Sequence, residues 1–211
     1  MARKNEESEA QKRFSQMAKD LEKANQGNIN KRIRESVKYF AEKNSAKFVD
    51  TGRANISLMT KGQRTASDYL PGQIFTFSYH PKHAETLPYY DRFPLILFLD
   101  VQKNGNLLAL NLHYLNPVIR SRILGKIIST VGSNTMRHDT QMKITYGMVK
   151  EIAAYKPLGF AIKSYIPSHV AGKVVRIQPQ DWDKAVVFPS QLFVGKSQES
   201  IWKEARKRFG D

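Results

Sequence analysis

The sequence predicts an α+β fold, in which a small antiparallel sheet with packed helices is preceded by a helical N-terminal arm. Three observations predict it. Several short segments alternate apolar and polar residues with the period of two that is typical of strands, other segments carry apolar residues at helical spacing, and the first quarter of the chain is polar with only narrow apolar stripes. The order strand, hairpin, two helices, hairpin, helix is typical of the α+β class. The 211 residues suffice for one domain and an arm.

Residues 1–69 are predicted to form the helical, polar arm and a linker. Two helices, separated near Gly27, are indicated by two sets of apolar residues at helical spacing: Phe14, Met17 and Leu21, then Ile29, Ile33, Val37 and Phe40. Helices with one narrow apolar stripe need something to pack against. Because positive and negative side chains alternate along them, we expect these helices to dock on protein rather than on nucleic acid. Residues 50–68 have the composition of a linker.

Residues 70–211 are predicted to form the compact domain. Residues 73–79 alternate as a half-buried strand does. Residues 95–101 and 107–114 flank an Asn-Gly turn at Asn104 and Gly105, which is the strongest hairpin signal in the chain.

The second half of this domain is predicted to contain two helices, two short strands and a closing helix. Pro117 is placed to begin a helix that extends to Thr130, and a second helix is predicted over residues 141–155. Residues 173–177 and 184–188 resemble two short paired strands. A closing helix over residues 197–209 has Ser197 as its expected cap.

The chain is strongly basic, with 34 Lys and Arg against 19 Asp and Glu and a formal net charge of +15. Such a charge favours an anionic partner: nucleic acid, a membrane surface or an acidic protein. The excess is concentrated in residues 101–180, which hold 11 basic residues and only two acidic ones, Asp139 and Glu151, so nine of the fifteen excess charges lie there.

This basic region supplies the predicted DNA-binding residues. Arg122 and Lys126 share a helix face, and Lys143 and Lys150 lie two turns apart with Tyr146 between them, where an aromatic ring could stack on an unpaired base. The full predicted set is Arg120, Arg122, Lys126, Lys143, Tyr146, Lys150, Lys163, Lys173 and Arg176. The alternative is a solvated face neutralised by acids from elsewhere in the fold. The basic residues at 203–208 are attributed to the helix dipole.

No pattern for catalysis or for a cofactor is found. The chain has no cysteine, which excludes disulfides, thiolate zinc ligands and cysteine nucleophiles. His80 and His83 offer too few ligands for zinc, and Asp91 and Asp100 are not part of the carboxylate cluster that a two-metal nuclease needs. We therefore expect no catalytic residues, no metal and no cofactor. No apolar run approaches the roughly 20 residues that span a bilayer, so no membrane association is expected.

Several phrases of the sequence are specific enough to suggest a family. They lie at residues 74–82, 86–96, 110–115, 181–189 and 197–203. Together they resemble virion proteins of T-even-like contractile-tailed phages, the DNA end protectors, over roughly residues 70–209. The resemblance implies a non-enzymatic protein that binds the ends of double-stranded DNA and protects packaged DNA from exonuclease. It also implies residence in the virion, after assembly in the host cytoplasm.

A second function from a different class remains open at this point. The same basic surface would suit a structural protein of the phage neck, tail or baseplate, acting in head completion or tail assembly. Such a protein would dock on neighbouring virion proteins through its N-terminal helices. It would bind DNA poorly, which distinguishes it from an end protector.

Overall fold

The structure is a computed structural model, and it describes residues 9–23, 26–44, 71–131, 147–152 and 154–209. Its centre is a five-stranded antiparallel sheet with the strand order β5-β4-β3-β1-β6. The strands of the structure are β1 (Ile74–Tyr79), β2 (Tyr90–Asp91), β3 (Leu95–Val101), β4 (Leu107–Asn111), β5 (Ile162–Tyr165), β6 (Val170–Ile177) and β7 (Phe193–Val194). The short strands β2 and β7 form a separate pair.

The helices confirm the α+β class. They are α1 (Glu9–Glu22), α2 (Gln26–Asn44), α3 (Pro117–Val131), α4 (Trp182–Ala185) and α5 (Gln198–Phe209). A further helical stretch is described at residues 147–152. None of the helices within the described ranges is long and apolar enough to cross a membrane.

The central hairpin forms where the Asn-Gly turn predicts it. Strands β3 and β4 pair with Val101 opposite Leu107. Gly105 has a φ of +81°, which the missing side chain makes accessible, and its N–H donates to the carbonyl of Gln102 at 2.8 Å. The turn residue therefore fixes the register of the two central strands.

Both faces of the sheet are apolar and buried. Alternate residues of β1 belong to two separate clusters, with Ile74 on the helical side and Phe75 and Phe77 on the other. The sheet curls towards that other side. The ring centre of Tyr165, on the edge strand β5, therefore lies 5.4 Å from that of Phe77 and 4.9 Å from that of Tyr79. The sheet thus covers much of its own second face.

The connection between the two edge strands keeps this curl closed. Residues 166–169 lead directly from β5 to β6, although these strands stand at opposite ends of the pairing order. The hydroxyl oxygen of Tyr79 accepts a hydrogen bond from the N–H of Ile166 at 3.2 Å, and the N–H of His80 donates to the carbonyl of His169 at 3.1 Å. These two bonds tie the connection between the edge strands to the end of β1.

The helical side of the core includes the first helix of the predicted arm. Phe14, Met17 and Leu21 of α1 are buried in the same cluster as the sheet and α3. The two helices approach closely at Gly125, where an added Cβ would lie 3.2 Å from the Cβ of Phe14. The stripe predicted from the sequence is real, and it packs on the chain's own core.

Helix α2 contacts the same domain through its polar side chains. The hydroxyl of Ser36 donates to the carbonyl of Lys184 at 2.7 Å, and the hydroxyl of Tyr39 donates to Asp181 Oδ1 at 2.6 Å. The domain boundary at residue 70 stays a prediction, since the linker that would contain it lies outside the described residues.

One sequence-based expectation in the second half of the domain is wrong, and one strand there is not predicted. Residues 184–188 are expected to be a strand, but Trp182–Ala185 is a short helix followed by turns, and β6 pairs with β1 instead. A short apolar run looks the same whether it is a buried strand or a buried helical turn, because all its side chains are inside in both. Strand β5 is not predicted, since its sequence shows no clear alternation.

Candidate nucleic-acid interface

Arg120 does not lie on the predicted DNA-binding surface. Its side chain is 1% exposed and belongs to the core. On α3 it lies in line with the buried Leu124, four residues further on, whereas Arg122 points outward. The expectation that Arg120 contacts phosphate is therefore corrected by its burial.

The Arg120 guanidinium instead ties three segments of backbone together. Its Nε donates to the carbonyl of Leu115 at 2.7 Å, its Nη1 to that of Val186 at 2.7 Å and its Nη2 to that of His113 at 3.3 Å. The guanidinium carbon lies 5.2 Å from the ring centre of Trp202. Burial lowers the pKa of Arg120 to about 9, so it still carries its charge at neutral pH.

Next to Arg120, three polar side chains form a buried chain of hydrogen bonds. Asp91 Oδ2 lies 2.6 Å from His113 Nδ1, and Ser190 Oγ lies 3.2 Å from His113 Nε2. The other carboxylate oxygen of Asp91 accepts from the N–H groups of Phe93 and Leu192, both at 3.1 Å. Asp91 thus anchors β2 and the segment before β7 to the central hairpin.

The electrostatics of this chain follow from its burial. Burial raises the pKa of Asp91, but the charge of His113 where its ring is protonated, the hydrogen bond from His113 and two backbone N–H donors outweigh it, so the pKa lies below its ordinary value. Burial lowers the pKa of His113 despite the neighbouring Asp91. An ionised Asp91 accepts from Nδ1–H, and the neutral ring then accepts the Ser190 hydroxyl proton at Nε2. Within this network the charge of Asp91⁻ is balanced by that of the neighbouring Arg120⁺.

Asp91, His113 and Ser190 are the residue types of a Ser-His-Asp triad, but their position in the fold does not suit catalysis. A nucleophilic serine must meet its substrate, and Ser190 is 0% exposed, as is His113. Within the described ranges no group of three or more potential ligands is placed to hold a metal ion. The arrangement suits a structural network, in which every one of these buried polar groups finds a partner.

Arg122 and Lys126 are exposed side by side on α3, as the sequence predicts. Arg122 Nε donates to Glu22 Oε1 of α1 at 3.1 Å, and about half of each of these two side chains is exposed. The packing of α1 on α3 therefore brings an acid against this part of the predicted surface.

The other predicted cations lie on different parts of the fold. Lys150 is exposed on the helical stretch 147–152, and Lys173 is exposed on β6. Arg176 is half-buried on the same strand, opposite Phe75. Lys163 is half-buried on β5, with its Nζ 4.5 Å from the ring centre of Tyr114, and burial lowers its pKa. The predicted residues Lys143 and Tyr146 lie outside the described residues.

The fold also reveals a basic surface outside the predicted set. The last turn of α5 carries Arg206, Lys207 and Arg208, all exposed. Beside it lies Tyr155, whose ring centre is 6.2 Å from that of Phe209. The cluster of cations near the C-terminus could have indicated this surface from the sequence, but the helix dipole is sufficient to explain cations at the end of a helix.

Comparison with known proteins identifies the family. The model of one family, described as phage T4 terminal DNA protecting protein, matches residues 1–207. Neither the curated proteins nor the solved structures contain a match to this chain. The family match includes α1 and α2, whereas the sequence resemblance covers only residues 70–209. The chain belongs to the family of phage T4 terminal DNA protecting proteins.

Proposed function

We propose that this protein binds the ends of double-stranded phage DNA through a basic surface and shields them from exonucleases, without catalysing a reaction. The observation that carries this proposal is the family match over residues 1–207, because the family is described as protecting terminal DNA. The net charge of +15 supports it, since a protein of this charge attracts the phosphate backbone over long distances.

The proposed contact surface follows the prediction with one residue removed. Arg120 is excluded by burial. The proposed phosphate contacts are Arg122, Lys126, Lys143, Lys150, Lys163, Lys173 and Arg176, with Tyr146 as a base-stacking residue. Lysine and arginine contacts to phosphate position a protein on DNA but do not read sequence, which suits a protein that must accept any packaged terminus.

A non-enzymatic role is supported by the environment of the most reactive-looking residues. Ser190, His113 and Asp91 are enclosed by the core and hydrogen-bonded to one another. Protection of an end needs only steric occupancy, so no reacting group is required. We place the protein in the virion, and in the host cytoplasm during assembly.

A second candidate function is docking on neighbouring virion proteins in the head, neck, tail or baseplate. The observation that favours it is the mixed charge of α1 and α2, whose Asp20 and Arg32 form an ion pair between the two helices. Since the apolar stripe of α1 lies in the core, such docking would use the exposed polar faces of these helices.

Exonuclease protection separates the two functions. Linear duplex DNA is incubated with the purified protein, an exonuclease is added, and the salt concentration is raised in steps. We expect protection of the ends at low salt that disappears steeply as salt increases, because binding releases counterions. Ends that are digested at low salt at the same rate with and without protein would contradict the proposed function and favour docking.

A paired set of variants tests the proposed surface. Arg122→Ala with Lys126→Ala should lower affinity and reduce the slope of log affinity against log salt by about 0.9 for each phosphate that is no longer neutralised. Lys82→Ala with Lys103→Ala removes the same charge from positions outside the proposed surface and is the matched control. Equal reductions of affinity in both double variants would show that only net charge matters and would remove Arg122 and Lys126 from the site.

A further inference from the structure

Tyr155 is an aromatic side chain left in solvent. Four large apolar or aromatic residues of the described ranges are exposed, and Tyr155, at 51%, is the aromatic one among them. Its backbone is nevertheless fixed, because its N–H donates to the carbonyl of Ile152 at 3.2 Å and its carbonyl accepts from the N–H of Leu158 at 2.9 Å. An exposed ring whose backbone is held by hydrogen bonds is well placed to stack on a planar group of a binding partner.

The ring is backed by a second aromatic group. Phe209, at the end of α5, lies 6.2 Å from Tyr155 between ring centres, at an interplanar angle of 47°. One residue earlier, the guanidinium carbon of Arg208 lies 5.1 Å from the ring centre of Phe160. Rings and a guanidinium plane thus lie together at one end of α5, and both kinds of group stack on nucleic-acid bases.

Cations outnumber acids in the two segments that meet here, although Glu151 is exposed one helical turn before Tyr155. Lys156 follows Tyr155 directly, and Arg206, Lys207 and Arg208 form the last turn of α5. Of the nearby acids on α5, Glu204 is already paired with Lys196. The helix dipole accounts for cations at a helix C-terminus, but it does not account for an exposed tyrosine among them. The combination fits a ligand with both a negative backbone and an accessible aromatic face.

Duplex DNA offers such a face only at its ends. Inside a duplex each base pair is stacked on a neighbouring pair on both sides. A protein side chain can stack on an internal base pair only if two neighbouring pairs are first separated, which costs free energy. At a blunt terminus the outer face of the last base pair is open, and the phosphates nearest the terminus lie at its rim. A protein that stacks a ring on this face therefore distinguishes an end from internal DNA without reading sequence.

We propose that Tyr155 stacks on the terminal base pair of the duplex while Lys156, Arg206, Lys207 and Arg208 bind the phosphates beside it. This site, which we call the end-stacking patch, rests on the proposed function and gives it a location. It lies outside the surface predicted from the sequence, and it supplies the preference for ends that phosphate contacts alone cannot supply.

The test compares two DNAs of the same sequence with the full-length protein. One is a blunt linear duplex, and the other is closed by hairpin loops at both ends, so that it has no open terminal base pair. Tyr155→Ala should weaken binding to the linear duplex by about 5- to 150-fold, the range for removal of one base–aromatic stack. Binding to the closed duplex should change little, and Tyr155→Phe should bind like the unmodified protein.

Val101→Ala is the matched control, because Val101 is 53% exposed and lies on the central hairpin, away from the patch. Arg206→Ala with Lys207→Ala should weaken binding to both DNAs, since phosphates are present in each. If the unmodified protein prefers the linear duplex and Tyr155→Ala does so equally well, the patch is overturned while the proposed function stands. If the unmodified protein binds both DNAs alike, end recognition fails, and the patch fails with it.

Discussion

Arg120 and Arg122 stand two residues apart on one helix and have opposite environments. Arg120 is enclosed and donates to three backbone carbonyls, whereas Arg122 is half exposed and meets one carboxylate at the surface. The first ties backbone segments together inside the core, and the second lies at the surface. The difference teaches that a count of cations overstates a binding surface, because some of the charge lies inside the core.

Replacing each arginine by methionine should give the largest difference in stability between the two positions. Arg120→Met leaves Asp91 as an unbalanced buried charge and three carbonyls without this donor, so the free energy of unfolding should fall by roughly 3–5 kcal/mol. Arg122→Met should change it by at most about 1 kcal/mol. Denaturant unfolding measures both, and equal effects would mean that the buried network does not stabilise the fold.

The close approach of α1 to α3 next to this pair can be tested at Gly125. Gly125→Ile places a branched side chain where even a Cβ would lie 3.2 Å from Phe14, and should lower the free energy of unfolding by about 1–3 kcal/mol. Gly147→Ala is the control, because a Cβ there meets nothing within 4 Å, and it should stabilise the protein by up to about 1 kcal/mol. Limited proteolysis should also release α1 first in Gly125→Ile. An unchanged cleavage pattern and stability would contradict the packing.

The buried network should make stability depend on pH in a definite direction. Because the pKa of His113 is lower in the folded protein than its ordinary value of 6.5, stability is complete above about pH 6.5 and declines as pH falls towards the folded pKa. The decline from this one group reaches at most about 1.4 kcal/mol per pH unit. Asp91, whose pKa is also lowered, adds a further decline as pH falls below 3.8.

Denaturant unfolding between pH 7 and pH 5 measures this dependence. His113→Gln removes the imidazole whose pKa is lowered by folding, and it should flatten the curve relative to the unmodified protein. The remaining histidines are the same in both proteins, so the difference isolates His113. Curves of equal slope would show that His113 is not the group responsible.

The smallest expected effect on stability is that of the surface ion pair between Arg122 and Glu22. A double-mutant cycle with Glu22→Ala and Arg122→Ala should yield a coupling energy of about 0.2–1 kcal/mol that fades as salt is added. A coupling of several kcal/mol, or one insensitive to salt, would place Arg122 in the same class as Arg120.

Much of the local structure could be predicted because its causes are local. Gly105 follows Asn104 in the sequence, and their turn alone specified the central hairpin. Phe14, Met17 and Leu21 have helical spacing, which specified the buried side of α1. The run at residues 185–188 could not be assigned in this way, because its side chains are all apolar and carry no period.

The candidate sites were predicted less well, for reasons of the same kind. Lys150 and Lys173 are exposed as expected, but the aromatic partner of the C-terminal cations was found only in the fold. Tyr155 and Phe209 are far apart along the chain and follow no motif. The end-stacking patch forms where two segments of the chain come into contact, and the sequence of neither segment predicts it.

By itself the sequence determined the α+β class, the central hairpin, the stripe of α1 and the excess of positive charge. Only the tertiary structure decided which cations face solvent and which are enclosed. Arg120 bonds to Val186, 66 residues away, and His113 joins Asp91 and Ser190 across 22 and 77 residues. Burial depends on such distant contacts, whereas spacing along a helix reports only neighbours, so Arg120 and Arg122 look alike until the chain is folded.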